Sequence, residues 1–420
     1  MKPLAQNHTI IRRSPNPETV YCYSPGIVRL DTGRLIATMD LGGPGVGHLP
    51  GQPEERKKLS TDWLMCIYTS DDSGKSWTQR ASFPIRHSRP FVAGNRIYVL
   101  GHDGDLFITA SDDNGETWSS ITKLTQDEVW HQAPCNVWYA HNNVYLVMER
   151  RQQHRVTSWP VSELAPILMR ASISSDLREP NSWTYSDSPA YSEAINDRTF
   201  DGFGLPFFPG FYPQHFRGSN RTAAPSGWLE TNVVQILDPE HYWHDPSGCT
   251  YHLLMRANTH GSGYAMLAKI IEESPGSGPM RFEFETAPSG TRQFYLPFPG
   301  GQMKFHLIYD EQTQLYWLLS TQATDSMRRI ENLPEGRYNL PNNERRRLVL
   351  HFSKNLVDWC FAGLVAMGET EICSRHYASM TFDDQDLVVL SRSADQDTKS
   401  AHDTNMITFH RVQNFRSLVY

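Results

Sequence analysis

No stretch of this chain is long and apolar enough to cross a membrane as a helix, and the opening residues Met1 to His8 lack the apolar core of a secretory leader. The expectation is a protein with no membrane partner, cytoplasmic as written, or periplasmic or secreted if a leader has been removed. Paired cysteines are lacking too. Cys22, Cys66, Cys135, Cys249, Cys360 and Cys373 stand far apart with no Cys-x-x-Cys, so they read as buried free thiols. Positive charge is in deficit: 39 Lys and Arg against 46 Asp and Glu leave a net charge of −7. That balance argues against a general polyanion binder and against nucleic acid as a partner, so an acidic ligand has to be gripped by a local cluster of Arg, Lys and His. Helical periodicity is missing throughout. What the chain does have is 39% hydrophobic and 11% aromatic residues over 420 positions, enough to bury a large core as a single domain spanning residues 1–420.

Two copies of one pattern organise the rest: Ser70-x-Asp72-x-Gly74-x-x-Trp77 and Ser111-x-Asp113-x-Gly115-x-x-Trp118. Each follows an apolar run, Trp63 to Tyr68 or Leu106 to Ala110, and so reads as a hairpin turn between strands. The Asp bonds the turn's own backbone, Gly supplies a positive φ, and Trp packs beneath. Ser353-x-Asn355-Leu356-x-x-Trp359 keeps the Ser and Trp without the Gly, and Ser175-Asp176 with Trp183 is looser still. Recurrence after about forty residues signals an array of small antiparallel sheets. These turns resemble the Asp-box of the sialidase-like β-propellers. Strand-like runs fall into groups of four over Gly26 to Ala81, Arg89 to Leu124, Asn136 to Ser186, Asn232 to Glu285, Met303 to Val365 and Tyr377 to Val419. The fold class is therefore all-β, a single β-propeller of six four-stranded antiparallel blades, with Ile10-Ile11 lending a closing strand.

Three insertions are too long for hairpin loops: Asp40 to Lys58, Pro189 to Gly227, and Thr324 to Glu344 with Arg328, Arg329 and Arg337. The first is glycine-rich, but Pro44 interrupts it and no helix follows, so it is not a phosphate-binding loop. In a propeller the innermost strands converge on one funnel. The residues at their ends are Tyr23-Ser24-Pro25, Ser88-Arg89-Pro90, His131 through Asn136, Glu230-Thr231-Asn232, Gln302-Met303-Lys304 and Arg375-His376-Tyr377. Bonding to the channel's own backbone explains each singly, yet the shared positive sign in an acidic chain points to an anionic ligand, with a sugar carboxylate the first guess. Candidate binding residues are Arg89, Asn136, Asn232, Arg256, Gln302, Lys304, Arg375, His376 and Tyr377.

The sialidase family uses the Arg of an Arg-Ile-Pro in its first blade as one of three on the substrate carboxylate. Here the matching stretch is Tyr23-Ser24-Pro25, so that arm is replaced. A second resemblance covers most of the chain. Trp130-His131-Gln132-Ala133-Pro134-Cys135-Asn136-Val137-Trp138-Tyr139, Gly227-Trp228-Leu229-Glu230-Thr231-Asn232 and Ser374-Arg375-His376-Tyr377-Ala378-Ser379-Met380 are similar to strings in propeller enzymes acting on rhamnose–glucuronate linkages, the ulvan lyases and the arabinogalactan rhamnosidases among them. That resemblance implies seven blades rather than six, a uronate-containing carbohydrate as partner, and a site of His, Tyr and Arg.

Elimination at a 4-linked uronate needs a cation on the carboxylate, a base for the C5 proton and an acid for the departing oxygen, with no obligatory cofactor. The resemblance assigns these roles to His131, His154, Tyr212 and Arg221, with Arg256 or Arg375 as a second cation. The family's Tyr falls here in Gly204-Leu205-Pro206, so Tyr191 and His215 are fallbacks. Hydrolysis by a lone histidine on another face of the ring places His48. His241, His244, Cys249 and His252 have metal-ligating chemistry, joined by His306 or His376 if the blades bring them near, but their spacing matches no standard zinc site. A structural metal is thus weakly suggested by His244, Cys249 and His252. The leading expectation is a lyase for rhamnosyl–glucuronate linkages; the alternatives are a hydrolase of the same linkage, an exo-sialidase with a rearranged clamp, and a non-catalytic sugar-binding propeller.

Overall fold

The computed structural model describes residues 1–49, 62–157, 159–195, 226–258, 263–326 and 344–420, with 214–215, 222–223, 328 and 332. Among the described residues six antiparallel sheets of four or five strands follow one another along the chain, each ordered from an inner strand outward, with two short two-stranded ribbons besides. Blade 1 is Tyr21–Arg29, Leu35–Gly42, Leu64–Ser70 and Thr78–Phe83; blade 2 is Arg86–Ala93, Arg96–Asp103, Asp105–Ser111 and Thr122–Lys123. In blade 3 the inner strand is broken into Trp130–His131 and Trp138–Ala140, both paired with Asn143–Arg151, and Leu164–Ser172 and Trp183–Tyr185 follow. Blade 4 is Gly227–Val234, Thr250–Asn258, Tyr264–Ser274 and Ser277–Glu283; blade 5 is His306–Asp310, Leu315–Thr321, Arg347–Ser353 and Cys360–Met367. Blade 6 takes Arg375–Asp383, Asp386–Ser393 and Met406–Val412 from the end of the chain, and its outer strand, Thr9–Arg13, from the beginning.

The closing strand at Ile10-Ile11 is therefore present, and it displaces the outer strand expected at Phe415 to Val419. Phe415–Leu418 forms a 3-10 turn instead, and buried Phe415 packs edge-on against Trp317 of blade 5 at 4.9 Å. The seven blades implied by the lyase resemblance give way to six. The reason is packing: one apolar cluster lies between each pair of neighbouring blades, and Ile27, Leu35 and Met39 of blade 1 share theirs with Leu390, Ile407 and Phe409 of blade 6. No room is left for a further sheet. Strand alternation feeds both sides of each blade, as on Asn143–Arg151, where Val144, Leu146 and Met148 face blade 2 while Tyr145 and Val147 face blade 4.

The repeated turns are built alike. Asp72 accepts from the Ser76 backbone (2.9 Å) and hydroxyl (2.6 Å), Ser70 Oγ accepts from Gly74 N (2.9 Å), and Trp77 Nε1 donates to Gly74 O. Asp113, Thr117, Ser111, Gly115 and Trp118 repeat every one of these bonds. In the degenerate copy Asn355 Oδ1 accepts from Val357 and Asp358 N, so the amide stands in for the carboxylate. All six cysteines are free thiols, five of them buried.

Gly74 and Gly115 both sit at positive φ, +87° and +85°, but their surroundings differ. A Cβ on Gly74 falls 2.2 Å from the Phe409 ring of blade 6, whereas on Gly115 the nearest atom is the flexible Ile36 Cδ1 at 2.8 Å. Gly74→Ala is expected to lose about 3 kcal/mol or more and Gly115→Ala about 1–2 kcal/mol in urea unfolding. Equal losses would show that the turn alone, not the blade 6 contact, sets the cost.

Candidate functional site

A regular device points side chains into the funnel. On the inner strands of blades 1, 2, 4 and 6 the ladder register shifts between Tyr23 and Gly26, Arg86 and Arg89, Leu229 and Asn232, and His376 and Ser379. Within each shift one non-glycine residue has a left-handed backbone: Ser24 (+42°), His87 (+55°), Glu230 (+55°) and Tyr377 (+48°). Bulges of this kind re-aim a side chain that strict alternation would pack between sheets. Left-handed backbone at a non-glycine costs about 1–2 kcal/mol per residue, a strain that clusters at functional sites.

The result is a cavity of about 450 Å³ to which every blade contributes. Blade 1 provides Tyr23 and, just before its third strand, Trp63; blade 2 provides His87 and blade 3 His131 and Trp159. Blade 4 gives Leu229, Glu230 and Arg256, the segment leading into blade 5's third strand gives Arg345, and blade 6 gives Tyr377, Arg392 and His402.

Tyr377 is the hub. Its hydroxyl accepts from Arg256 Nη1 at 2.6 Å, and the same nitrogen donates to Glu230 Oε2 at 3.0 Å. Arg256 Nε is held by the Gln302 carbonyl at 2.9 Å. The guanidiniums of Arg392, Arg345 and Arg256 lie 5.0, 5.7 and 5.9 Å from the Tyr377 ring centroid. Burial raises the Tyr377 phenol above its ordinary pKa, with Glu230 adding to this and the three arginines pulling the other way. Burial works to lower Arg256, but Tyr377 and Glu230 outweigh it and leave Arg256 raised. Arg345, which donates to His376 Nδ1 at 3.0 Å, is pushed down by burial to about 10 and stays charged at neutral pH. Among the described residues neither Arg345 nor Arg392 has a carboxylate in ion-pair reach.

Arg392 occupies a telling place. Its guanidinium lies 4.1 Å from the ring centroid of Tyr23, the residue standing where the sialidase resemblance expects the first arginine, and it donates to the His402 carbonyl. Tyr23 is itself fixed by a 2.6 Å bond to Asp403, which also binds His402. A cation missing from blade 1 thus reaches the same neighbourhood from blade 6.

Of the sequence-predicted residues, His131, Arg256 and Tyr377 line the cavity, with His131 Nδ1 3.8 Å from Glu149. Others are structural. Asn136 pairs with both backbone groups of Val233, Asn232 with Phe305 O and Leu307 N, Arg89 with Val147 O, Gln302 with Thr321 O, and Lys304 with Ala378 O and Ser379. These bonds stitch one blade to the next or tie a strand within its blade, which is why those polar groups point along the channel wall and not into the cavity. Arg375 donates from Nη1 to the Ser374 and Ala394 carbonyls and does not line the cavity, and His376 stands behind Arg345. His154 is exposed on a loop, His48 is exposed on a 3-10 turn, and buried Tyr191 bonds Tyr295; none of the three lines the cavity. Tyr212, Arg221 and the side chain of His215 lie outside the described residues.

The suggested metal ligands are dispersed. His252 binds Glu285 at 2.7 Å, His244 the Ile236 carbonyl and His241 the Asn355 carbonyl, and Cys249 is buried beside Ser247. Among the described residues no three His, Cys, Asp or Glu side chains are grouped to hold a metal. Sequence reasoning missed His87, Arg345, Arg392, Trp63 and Trp159.

No protein-family model matches the chain, and no curated protein matches it in sequence. Solved structures do match in fold. A Penicillium chrysogenum α-L-arabinanase superposes with a TM-score of 0.52 at 11% identity, over 99% of this chain and 100% of its own. The Hadza microbial sialidase Hz136 gives 0.57 at 12% identity, over 98% and 69%. The intramolecular trans-sialidase from Ruminococcus gnavus gives 0.53 at 11%, over 98% of each. The chain shares the β-propeller fold of these proteins.

Behind the cavity wall, Asp40 is buried and accepts from the His87 backbone N–H at 2.7 Å, while its other oxygen has no hydrogen-bond partner among the described residues. Burial pushes its carboxyl up to about 8, against the pull of the His87 and Ser88 N–H groups and of Arg86 and Arg392. The folded state therefore holds the Asp40 proton more tightly than the unfolded chain. This contribution to stability is complete below about pH 4 and is lost as pH rises through about 8. Asp40→Asn is expected to gain about 2 kcal/mol or more on the wild type between about pH 5 and about pH 9 in urea unfolding. Parallel stability curves for the two proteins would mean that Asp40 is ionised throughout.

Proposed function

We propose that this chain is a carbohydrate-active enzyme that cleaves a glycosidic bond beside a sugar carboxylate, with Tyr377 meeting the reacting carbon. One observation carries the reading: the Tyr377 phenol lies among Arg256, Arg345 and Arg392 and shares an Arg256 nitrogen with Glu230. Two buried guanidiniums without a paired carboxylate among the described residues suit a ligand that brings one, as sialic and uronic acids do, because planar bidentate pairing offsets the cost of burying the charge. Trp63 and Trp159 line the cavity and add aromatic surface of the kind a pyranose packs on. In hydrolysis the phenolic oxygen bonds to the anomeric carbon as the bond to the departing oxygen breaks, Glu230 takes the phenolic proton and the departing oxygen takes one from solvent water; a water then bonds to the anomeric carbon as the phenolic oxygen leaves and recovers its proton from Glu230, releasing the sugar. Tyrosine serves as nucleophile in sialidases, departing from the usual carboxylate pair of glycosidases. The fold likeness to a sialidase, a trans-sialidase and an arabinanase supports the sugar class. Neither this route nor the next needs a cofactor.

A second reading, elimination at a rhamnosyl–glucuronate linkage of ulvan or arabinogalactan type, is favoured by His131 and His87 facing the same cavity as Tyr377 and the arginines. Tyr377 then takes the part first given to Tyr212, and an arginine of the cavity the part given to Arg221. Incubation with a fluorogenic sialoside, ulvan and gum arabic separates the two, since only elimination raises absorbance in the unsaturated-uronate band. The expected outcome is sugar release without that rise, reduced at least about a thousandfold by Tyr377→Phe. Turnover that survives Tyr377→Phe, or none on any carboxylate-bearing sugar, would overturn the proposal.

A further inference from the structure

Three imidazoles meet on one side of the cavity. His87 and His131 line it, their ring centroids 5.2 Å apart, and His102 stands behind His87. His87 Nδ1 and His102 Nε2 are 3.0 Å apart, so one ring proton lies between them. His87 is pinned twice more, by its left-handed backbone and by the bond from its N–H to Asp40. His102 is fully buried on the neighbouring strand, and among the described residues its Nδ1 has no hydrogen-bond partner. Burial drives both rings well below their ordinary pKa, with Arg86 and His131 also disfavouring charge on His102, so at neutral pH both are uncharged.

Two neutral imidazoles share two protons among four nitrogens. One arrangement has His87 donate from Nδ1, which forces the His102 proton onto Nδ1, as a buried N–H without an acceptor. In the other, His102 donates from Nε2, its Nδ1 is a bare lone pair, and the His87 proton sits on Nε2. Arg86, opposite His102 in the strand ladder, adds positive charge nearby and favours a lone pair over a further N–H. Orphaned buried N–H groups are the rarer defect in folded proteins. The second arrangement also turns the remaining His87 donor away from His102, on the ring of a residue that lines the cavity.

We propose that His102 fixes His87 as its Nε2–H tautomer, so that this wall presents a neutral hydrogen-bond donor to an oxygen of the bound sugar. His102 is a positioning residue, acting through His87. The inference rests on the reading of the cavity as a sugar site, and it narrows that reading: His87 gives a hydrogen bond to a hydroxyl, carbonyl or glycosidic oxygen and is not the base that removes a ring proton. In the elimination route that task would fall to His131. A neutral imidazole can polarise an oxygen without carrying charge itself.

Long-range ¹H–¹⁵N correlation spectra of the histidine-labelled, ligand-free protein at neutral pH test this directly, with His87→Gln assigning the signals. The expected pattern is a protonated Nε2 and an unprotonated Nδ1 on His87; the reverse pattern, or averaging between the two, overturns the proposal. In His102→Leu the His87 signals are expected to move to the averaged position, and His102→Gln, whose amide can donate from the same place, is expected to restore the Nε2–H pattern. An unchanged His87 pattern in His102→Leu also overturns it. Should that variant not fold, the wild-type spectrum still decides. Because no substrate enters the experiment, its result stands apart from the outcome of the turnover assays.

Discussion

Three guanidiniums crowd one phenol at the mouth of this ring, and the rest of the molecule is arranged to make that tolerable. Like charges at such distances repel, and burial removes the water that would screen them. Glu230 answers one arginine directly, while backbone carbonyls of Gln302 and His402 and the neutral nitrogen of His376 take individual N–H groups of the set. Carbonyls and imidazoles satisfy hydrogen bonds without cancelling charge. The cavity therefore keeps an excess of positive potential within a chain whose net charge is −7. The proposed sugar carboxylate would relieve it.

Holding the cluster requires a frame that does not yield. Asn136 and Asn232 each bind both a donor and an acceptor of the next blade's inner strand, and Lys304 bridges blade 5 to blade 6. The N-terminal strand then fastens the last blade, so the chain's two ends share one sheet. Against this rigid wall the four inner-strand bulges aim Glu230, Tyr377 and His87 inward and leave Ser24 beside Pro25 at the equivalent place. Repetition of one distortion at equivalent positions is what gathers polar side chains from separate blades around one cavity.

Much of the scaffold was legible because it rests on local chemistry. The Ser-x-Asp-x-Gly-x-x-Trp turns specify their own hydrogen bonds, and apolar alternation places strands within a few residues of where they lie. The blade number followed from grouping those strands, while the seventh blade came only from resemblance. Phe415 to Val419 looked like a strand because alternation cannot tell that the outer place of blade 6 is already taken by residues four hundred positions away. The site was legible in part. His131 and Tyr377 stand at inner-strand ends and Arg256 on the neighbouring strand opposite Leu229, yet Arg89, Asn136 and Lys304 hold similar places, and polarity alone does not separate a side chain that stitches blades from one that faces a ligand. Arg392 and Arg345 lay beyond reach for another reason. No motif or inner-strand end marks either one, and only the folded ring lays Arg392 over Tyr23, where the sialidase resemblance expects an arginine.

The account stands or falls on where a carboxylate comes to rest. Crystals soaked in turn with N-acetylneuraminic acid and D-glucuronate should show, for at least one of them, the sugar carboxylate within hydrogen-bond distance of Arg345 and Arg392, with the anomeric carbon facing Tyr377. A sugar bound in this cavity with its carboxylate turned to solvent, or bound only elsewhere on the ring, would contradict it.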